Sequence, residues 1–365
     1  MSTTTKSRDY LFDNYKAFLV VLVVLGHFIE PCCRNNSALY TLKWFIFSFH
    51  MPAFIFISGY FSKRELPLSV LIKKLAVPYL VYQFCYYLLY IVILGESTSY
   101  NPILPKFSLW YLMALFVWRS LTPYVKKIPY YMPLSIVAGL FIGCVDMQSN
   151  FLSIPRILVY FPFFLAGINF DRNILEKFRS PRWRLLSAAA ITAFTVLLSW
   201  EPVRTMYPVK IFYGRYNYEF LHQTMLEGIF VRLICYGIGF FMTFAFMILI
   251  TERKTCYSYI GGRTMAVYLF HGLIYTYIKD STDLLQNINT APETATLLVF
   301  CVVLSVALTI PQLTAFTNAV TALQLPRIPV SVPRVQNIRC RNPFYKIPVL
   351  RTSGYMALVL STIKL

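Results

Sequence analysis

The chain has 365 residues, of which 57% are hydrophobic and only 13% are charged, and its mean hydropathy is +0.57. This composition excludes an ordinary water-soluble domain and indicates a polytopic membrane protein. The formal net charge of +19 would suggest nucleic-acid binding in a soluble protein, but here the basic residues fall in short groups between apolar runs. Membrane topology, and not nucleic acid, therefore explains the charge.

The apolar runs predict an all-α membrane helical bundle with about ten transmembrane helices, because one crossing requires roughly 17 to 25 mainly apolar residues. In chain order the predicted spans cover residues 15–31, 39–61, 71–94, 107–122, 129–145, 152–170, 185–200, 226–250, 264–279 and 294–313. The first run lacks a small-residue cleavage site, so it is predicted as a first helix and not a removed signal peptide. Residues 1–313 are thus predicted as the membrane domain.

The distribution of Lys and Arg predicts the orientation of the bundle. When the connections are alternated between the two sides, most of the 34 basic residues fall on the side of the N-terminus. Basic loops are retained in the cytoplasm, so both termini of this multi-pass plasma-membrane protein are predicted to be cytoplasmic. Residues 314–365 are predicted as a basic, proline-containing cytoplasmic tail that is irregular and lies on anionic lipid. The outer connection 201–225 is rich in Tyr and Arg, which suits either sugar stacking or an interfacial aromatic belt.

Three of the four histidines are predicted at a similar depth in the bilayer. His27 lies eleven residues after Lys16, about 16 Å along a helix axis at 1.5 Å per residue. His271 lies eight residues after Arg263, about 12 Å by the same rise, and His50 is at the centre of the second span. Ionisable groups are expensive in lipid and often mark functional pathways, so three at one depth favour a site.

Lys16, His27 and Glu30 form a polar stripe on the first helix. Eleven residues at 100° each return to within about 20° of the start, so Lys16 and His27 share one face. Glu30 follows one turn later, where its carboxylate would orient the imidazole or stabilise its charged form. Lys16 taken alone would be an ordinary snorkelling residue.

The other candidates also have structural interpretations. A single membrane histidine often only hydrogen-bonds between helices, which applies to His50 or His271 taken alone. Ser58–Gly59 would simply permit close helix packing, and His222 is expected to be a surface residue of an outer loop. The eight cysteines lack paired spacing, and histidines spread over three helices do not form a ligand set, so no metal site is predicted.

Several longer stretches resemble the integral-membrane acyltransferase-3 family, in particular its branch of fucose 4-O-acetylases and related acetyltransferases. The matching stretches, in family order, are DNYKAFLVVLVVLGHFIEP, FSFHMPAFIFISGYF, SLWYL, YFPFFLAGI and GGRTMAVYLFHG. The resemblance covers residues 9–313 and implies about ten helices. It implies transfer of an acetyl or other acyl group from cytoplasmic acyl-CoA, acetyl-CoA in the simplest case, to a hydroxyl of an envelope or extracellular glycan.

The resemblance also implies roles for residues in the middle of the bilayer. The family hallmark is an arginine, ten residues and a histidine, and here Lys16 stands in place of the arginine before His27. Acyl transfer to an alcohol needs a base and an oxyanion donor, so His27 is predicted as the base and Glu30 as its support. A two-step route with an acylated His27 is equally compatible. The candidate donors and further cavity-lining residues are His50, Ser58, Tyr268 and His271.

The phosphates of acyl-CoA are predicted to bind basic residues at the inner surface. Lys16 is the first candidate, aided by Arg263 or by the pair Lys73 and Lys74. Lysine keeps the charge of the family arginine but lacks its planar bidentate fork.

Other functions remain compatible with the sequence. A proton-coupled transporter or exporter would also bury histidines and Glu30, but broken helices in repeated halves would then be expected. A structural or lipid-binding membrane protein would tolerate loss of all three central histidines. Within the enzyme class, an amino acid, antibiotic or lipid is an alternative acceptor to a sugar.

Overall fold

The computed structural model describes residues 8–34, 36–147 and 150–322, and within these ranges the chain forms helices joined by turns, without strands. The main helices are α1 (Tyr10–Ile29), α2 (Ser37–Tyr60), α3 (Leu68–Ile93), α4 (Trp110–Val125), α5 (Tyr131–Phe141), α6 (Ile154–Asn169), α7 (Pro181–Ser199), α8 (Met225–Leu249), α9 (Thr264–Ser281), α10 (Ala291–Ala307) and α11 (Pro311–Ala322). Shorter helical turns lie between them, including Val209–Tyr213 and Ser258–Gly261. The prediction of an all-α polytopic bundle is confirmed.

Each of the ten predicted spans overlaps one of the helices α1 to α10. In the part of the chain that the structure describes, five helices are long and apolar enough to cross a membrane: α1, α2, α3, α6 with its preceding turn, and α8. Helices α10 and α11 together form a possible sixth, broken span with a bend of 59°. The remaining helices are shorter or more polar, so the exact count of ten stays a prediction.

The end of the bundle differs from the expected irregular tail. Instead of becoming irregular after residue 313, the chain stays helical through α11 to Ala322. Helix α11 packs against α3 and α9, which explains why this segment is ordered as a helix. The rest of the predicted tail, residues 323–365, lies outside the described residues.

Helix α1 lies at the centre of the packing, in contact with α2, α9, α10 and the turn Ser258–Gly261. Its first turn is fixed by the completely buried Asn14. The Asn14 amide donates to the carbonyl oxygens of Thr251 and Arg253 at 2.8 and 2.9 Å. Its side-chain oxygen accepts from the hydroxyls of Thr255 and Ser258 at 2.9 and 2.6 Å. A buried polar group with all its partners fixes the register of α1.

Helices α2 and α6 cross at a pair of glycines. A Cβ atom on Gly59 would lie less than 3 Å from the carbonyl oxygen of Phe164, and one on Gly167 less than 3 Å from that of Phe56. Real Cβ atoms do not approach backbone this closely, so each helix supplies a glycine where the other backbone passes. Gly59 of the Ser58–Gly59 pair therefore has the close-packing role.

Candidate active site

A cavity of about 270 Å³ lies beside His27 and Glu30, at the C-terminal end of α1. We call this the Glu30 end of the bundle, and the opposite end of α1 the Lys16 end. The residues that line the cavity are His27, Glu30, Phe47, His50, Met51, Pro105, Phe107, Trp110, Asn150, Arg156, Tyr160, Lys210, Phe212, Tyr213, Arg215 and Tyr216. The cavity thus combines two of the predicted histidines with aromatic and basic side chains.

The three central histidines come together around His27. The ring centroids of His27 and His271 are 5.5 Å apart, and His27 and His50 both line the cavity. The ring of Phe107 contacts His27 at a centroid distance of 4.4 Å and Tyr275 at 5.0 Å. Nδ1 of His27 is buried and has no hydrogen-bond partner among the described residues. His27 is therefore held by ring packing and keeps a nitrogen available for chemistry.

The other two histidines have defined tautomers. Nδ1 of His50 lies 2.7 Å from the carbonyl oxygen of Ile46, and Nδ1 of His271 lies 2.9 Å from that of Val267. A carbonyl oxygen only accepts, so Nδ1 carries the proton and Nε2 of each neutral ring is an acceptor. The predicted role of His50 as a donor to the substrate therefore requires its imidazolium form.

Glu30 pairs with different groups from those expected. The sequence predicted contact with the His27 imidazole, but the Glu30 carboxylate accepts from Lys43 Nζ at 3.2 Å and from the Tyr213 hydroxyl at 2.7 Å. Burial and the neighbouring carboxylate raise the pKa of Tyr213 well above its usual value, so this hydroxyl keeps its proton and donates. Glu30 thus ties α1 to α2 and to the turn Val209–Tyr213, forming one wall of the cavity.

A second, much smaller pocket of about 20 Å³ lies on the other side of His27. Its lining residues are Val20, Val23, His27, Met51, Phe54, Ser108, Trp110, Tyr111 and Tyr268. The predicted donor Ser58 lies close by, because its hydroxyl is hydrogen-bonded to that of Tyr111. The Tyr268 hydroxyl donates to the carbonyl oxygen of Ser108. Ser58, Tyr111 and Tyr268 thus form a polar cluster beside His27.

The Lys16 end carries a third cavity, of about 660 Å³. Its lining residues are Arg8, Asp9, Asp13, Lys16, Phe61, Tyr259, Gly262 and Arg263. Lys16 forms an ion pair with Asp13 at 3.0 Å and lies over the ring of Phe61. The Arg263 guanidinium donates to the carbonyl oxygen of Thr309 at 2.9 Å. The structure therefore places Lys16 and Arg263 in one cavity. This is the first of the two arrangements that the sequence left open for the phosphate site.

The other alternative is not part of this cleft. Lys73 and Lys74 are exposed on α3 and are absent from the described lining of all these cavities. Arg8, which precedes α1, is the further basic residue that lines this cleft, and its guanidinium donates to the Asp13 carboxylate.

Several lining residues were missed as site residues. Trp110 and Tyr111 belong to the motif SLWYL, which was used only to recognise the family. Arg156 was noted only as a basic residue within or beside a span. Phe107 carried no sequence signal, although its φ of 44° is unusual for a bulky residue and its ring packs on His27. Within the described ranges, no group of three His, Cys, Asp or Glu side chains is placed to hold a metal ion.

Comparison with known proteins identifies the family of this chain. A protein-family model described as an acyltransferase domain, that of the acyltransferase-3 family, matches residues 9–311. The chain belongs to the acyltransferase-3 family. All ten predicted site residues of this acyltransferase-3 chain lie within the matched segment. The closer assignment to the fucose 4-O-acetylase branch stays a prediction.

Two curated relatives of this family member carry the name nodulation protein NolL. The protein from Mesorhizobium japonicum is 25% identical over 223 residues, which is 54% of this chain and 57% of that protein. The protein from Sinorhizobium fredii is 41% identical over 64 residues, which is 17% of this chain and 18% of that protein. The chain thus spans little more than half the length of one relative and less of the other. No solved structure matches the chain.

Proposed function

We propose that this chain is a membrane O-acetyltransferase that moves an acetyl group from acetyl-CoA at the Lys16 end to a hydroxyl of a glycan at the Glu30 end. The observation that carries the proposal is the position of His27, which borders both the Glu30-end cavity and the small pocket on the opposite side. A group at this position has access to an acceptor from one side and a donor from the other.

The donor half of the proposal is supported by one face of α1. Lys16 lines the basic cleft, Val20 and Val23 line the small pocket, and His27 follows on the same face. Lys16, Arg8 and Arg263 would bind the coenzyme A phosphates, and the apolar face would accommodate the pantetheine arm. The distance of about 16 Å from Lys16 to His27 requires such an extended arm.

The chemistry follows from the groups around His27. The acceptor hydroxyl oxygen attacks the thioester carbonyl carbon, and His27 takes the hydroxyl proton. The resulting oxyanion is stabilised by a hydroxyl of the Ser58, Tyr111 and Tyr268 cluster, after that hydroxyl turns from the oxygen that accepts its hydrogen in the structure, or by His50 in its charged form. When the C–S bond breaks, the proton returns to the coenzyme A sulfur. In the two-step variant, His27 attacks the thioester carbonyl, the C–S bond breaks, and coenzyme A leaves as the thiol with the proton of the imidazole. The acceptor hydroxyl then attacks the acetyl-imidazole, and its proton returns to the ring as the C–N bond breaks.

The orientation in the plasma membrane is part of the same proposal. One small pocket is lined by four basic residues, Lys63, Arg64, Arg119 and Lys126. Phe61, which directly precedes this lining in the chain, has the Lys16 ammonium group over its ring. This concentration of basic residues favours a cytoplasmic location for the Lys16 end and for the N-terminus. Acetyl-CoA would then bind from the cytoplasm and the glycan from outside.

Inverted vesicles test the proposed function directly. Acetyl-labelled acetyl-CoA is added to the exposed cytoplasmic face, and base-labile label in the glycan fraction is measured. We expect label in the glycan when acetyl-CoA is added outside inverted vesicles. We expect none when it is added outside right-side-out vesicles prepared from the same membranes. A folded, inserted protein that transfers no label but supports proton-coupled flux would overturn the proposal in favour of a transporter.

Lys16 provides a second test, of the donor site. We expect Lys16→Gln to raise the KM for acetyl-CoA about tenfold or more, because a charged hydrogen bond to phosphate is lost. Lys16→Arg should restore the KM, since arginine keeps the charge. Initial rates at varied acetyl-CoA measure the effect, with exposed Lys74→Gln as the matched control. A low kcat for both Lys16 variants at unchanged KM would contradict phosphate binding by Lys16.

A further inference from the structure

The cavity at the Glu30 end carries an excess of basic side chains. Arg156, Lys210 and Arg215 line it, and Glu30 is the acidic residue among the described lining residues. The Glu30 carboxylate is already paired with Lys43 and accepts from Tyr213. Glu30 therefore does not offset the charge of Arg156 and Lys210, and these two side chains make the cavity wall electropositive.

Arg156 lies against aromatic side chains of the cavity wall. It lies in the first turn of α6 and is half-buried. Its guanidinium carbon is 4.9 Å from the centroid of the Trp110 ring, which stacks on Tyr160 at 5.6 Å. In the described ranges, no Asp or Glu oxygen lies within ion-pair distance of Arg156. Among the described residues, the guanidinium of Arg156 is therefore stabilised by an aromatic ring and not by a carboxylate.

An aromatic face compensates a cavity-bound guanidinium only in part. The attraction between a cation and an aromatic ring is weaker than the cost of removing an unpaired charge from water. The planar guanidinium matches a carboxylate or a phosphate through two parallel hydrogen bonds. Lys210, over the rings of Tyr216 and Phe220 at 5.7 and 5.1 Å, adds a second cation on the cavity wall.

From this charge distribution we infer that the acceptor of this protein is an anionic sugar, whose carboxylate or phosphate group binds Arg156 while a hydroxyl faces His27. The inference rests on the proposed function for the identity of the cavity as the acceptor site. The inference restricts the class of acceptor to anionic sugars, because a neutral sugar has no anionic group that would form an ion pair with Arg156. Arg156 is then a specificity-determining residue.

Binding measurements on the purified full-length protein in a non-ionic detergent test the inference without catalysis. Ligand-observed NMR compares three probes: methyl glucoside, methyl glucuronide and glucose 6-phosphate. We expect at least one anionic sugar to bind about tenfold or more tightly than methyl glucoside. Comparison of the two anionic probes separates a carboxylate acceptor from a phosphate acceptor.

Arg156→Gln should remove this preference while leaving the weak binding of methyl glucoside unchanged. Lys279→Gln is the matched control, because Lys279 is paired with Asp280 outside the cavity lining. Equal affinities for all three sugars in the native protein would overturn the inference. Displacement of the anionic sugar by coenzyme A in an Arg156-dependent manner would also overturn it, because the basic residues would then serve the donor.

Transfer assays with the same sugars distinguish the two levels of the proposal. Transfer to neutral and anionic sugars at equal rates, in both the native protein and Arg156→Gln, would refute the anionic acceptor and leave acetyl transfer standing. Arg156-dependent binding of the anionic sugars without any transfer from acetyl-CoA would refute acetyl transfer and leave the anionic-sugar site standing. An equal loss of rate for both sugars in Arg156→Gln, at unchanged affinity, would place Arg156 on the reacting carbonyl and overturn its role in specificity.

Discussion

Replacement of His27 by alanine is expected to lower acetyl transfer by at least about 100-fold, the range typical for loss of a positioned general base. His27 borders both the Glu30-end cavity and the small pocket towards Lys16, and its Nδ1 has no partner among the described residues. No other histidine borders both, so we expect no residue to take over its role. The measurement is the initial rate of label transfer from acetyl-CoA in inverted vesicles, with His27→Gln as a variant closer in shape.

His222→Ala is the matched control for this experiment. His222 is exposed in the connection 201–225 and is absent from the described lining of the cavities that border His27. We expect native rates in this variant and normal membrane insertion in all three. Near-native transfer by an inserted His27→Ala protein would remove His27 from the mechanism.

Replacement of Gly59 or Gly167 by alanine is expected to destabilise the folded bundle by about 3 kcal/mol. The added Cβ atom would collide with the backbone carbonyl of Phe164 or Phe56, and a helix backbone cannot rotate away as a flexible side chain would. Helices α2 and α6 would have to separate, and α2 carries His50 and Ser58. The apparent melting temperature of the detergent-purified protein, together with its yield in membranes, measures the effect.

Gly237→Ala is the control for this pair. A Cβ atom on Gly237, in the interior of α8, would meet no heavy atom within 4 Å. Alanine is the better helix former by about 0.5 to 1 kcal/mol, so this variant should keep or raise the melting temperature. If Gly59→Ala and Gly167→Ala also melted like the native protein, the close crossing of α2 and α6 would be refuted.

Local features of the sequence predicted part of the site correctly. Lys16 and His27 lie on one face of α1 with Val20 and Val23 between them, as the spacing of eleven residues required. The common depth of His27, His50 and His271 agrees with their positions: His27 and His50 line one cavity, and the ring of His271, which is absent from its described lining, lies 5.5 Å from that of His27. Both predictions depended only on helix geometry and on the positions of the apolar runs.

Contacts between distant parts of the chain were not predictable in the same way. The sequence predicted a contact between Glu30 and His27 because they are three residues apart. In the structure, the Glu30 carboxylate instead bonds to Lys43 on α2 and to Tyr213, which is 183 residues away. Similarly, Arg263 joins Lys16 in a cleft while Lys73 and Lys74 remain exposed on α3. A charged side chain gives no sequence signal of which helix will pack beside it.

The sequence by itself determined the membrane class, the all-α architecture, the positions of the helices and the family, because apolar run length and motif order are local properties of the chain. Only the tertiary structure decided that Arg8 completes the Lys16 cleft, that Tyr213 and Lys43 hold Glu30, and that Arg156 lies against Trp110 in the Glu30-end cavity. These contacts arise from how closely the helices approach. At the glycine crossing of α2 and α6 the approach is close enough to exclude a Cβ atom, and close packing of this kind depends on shape along whole helix faces.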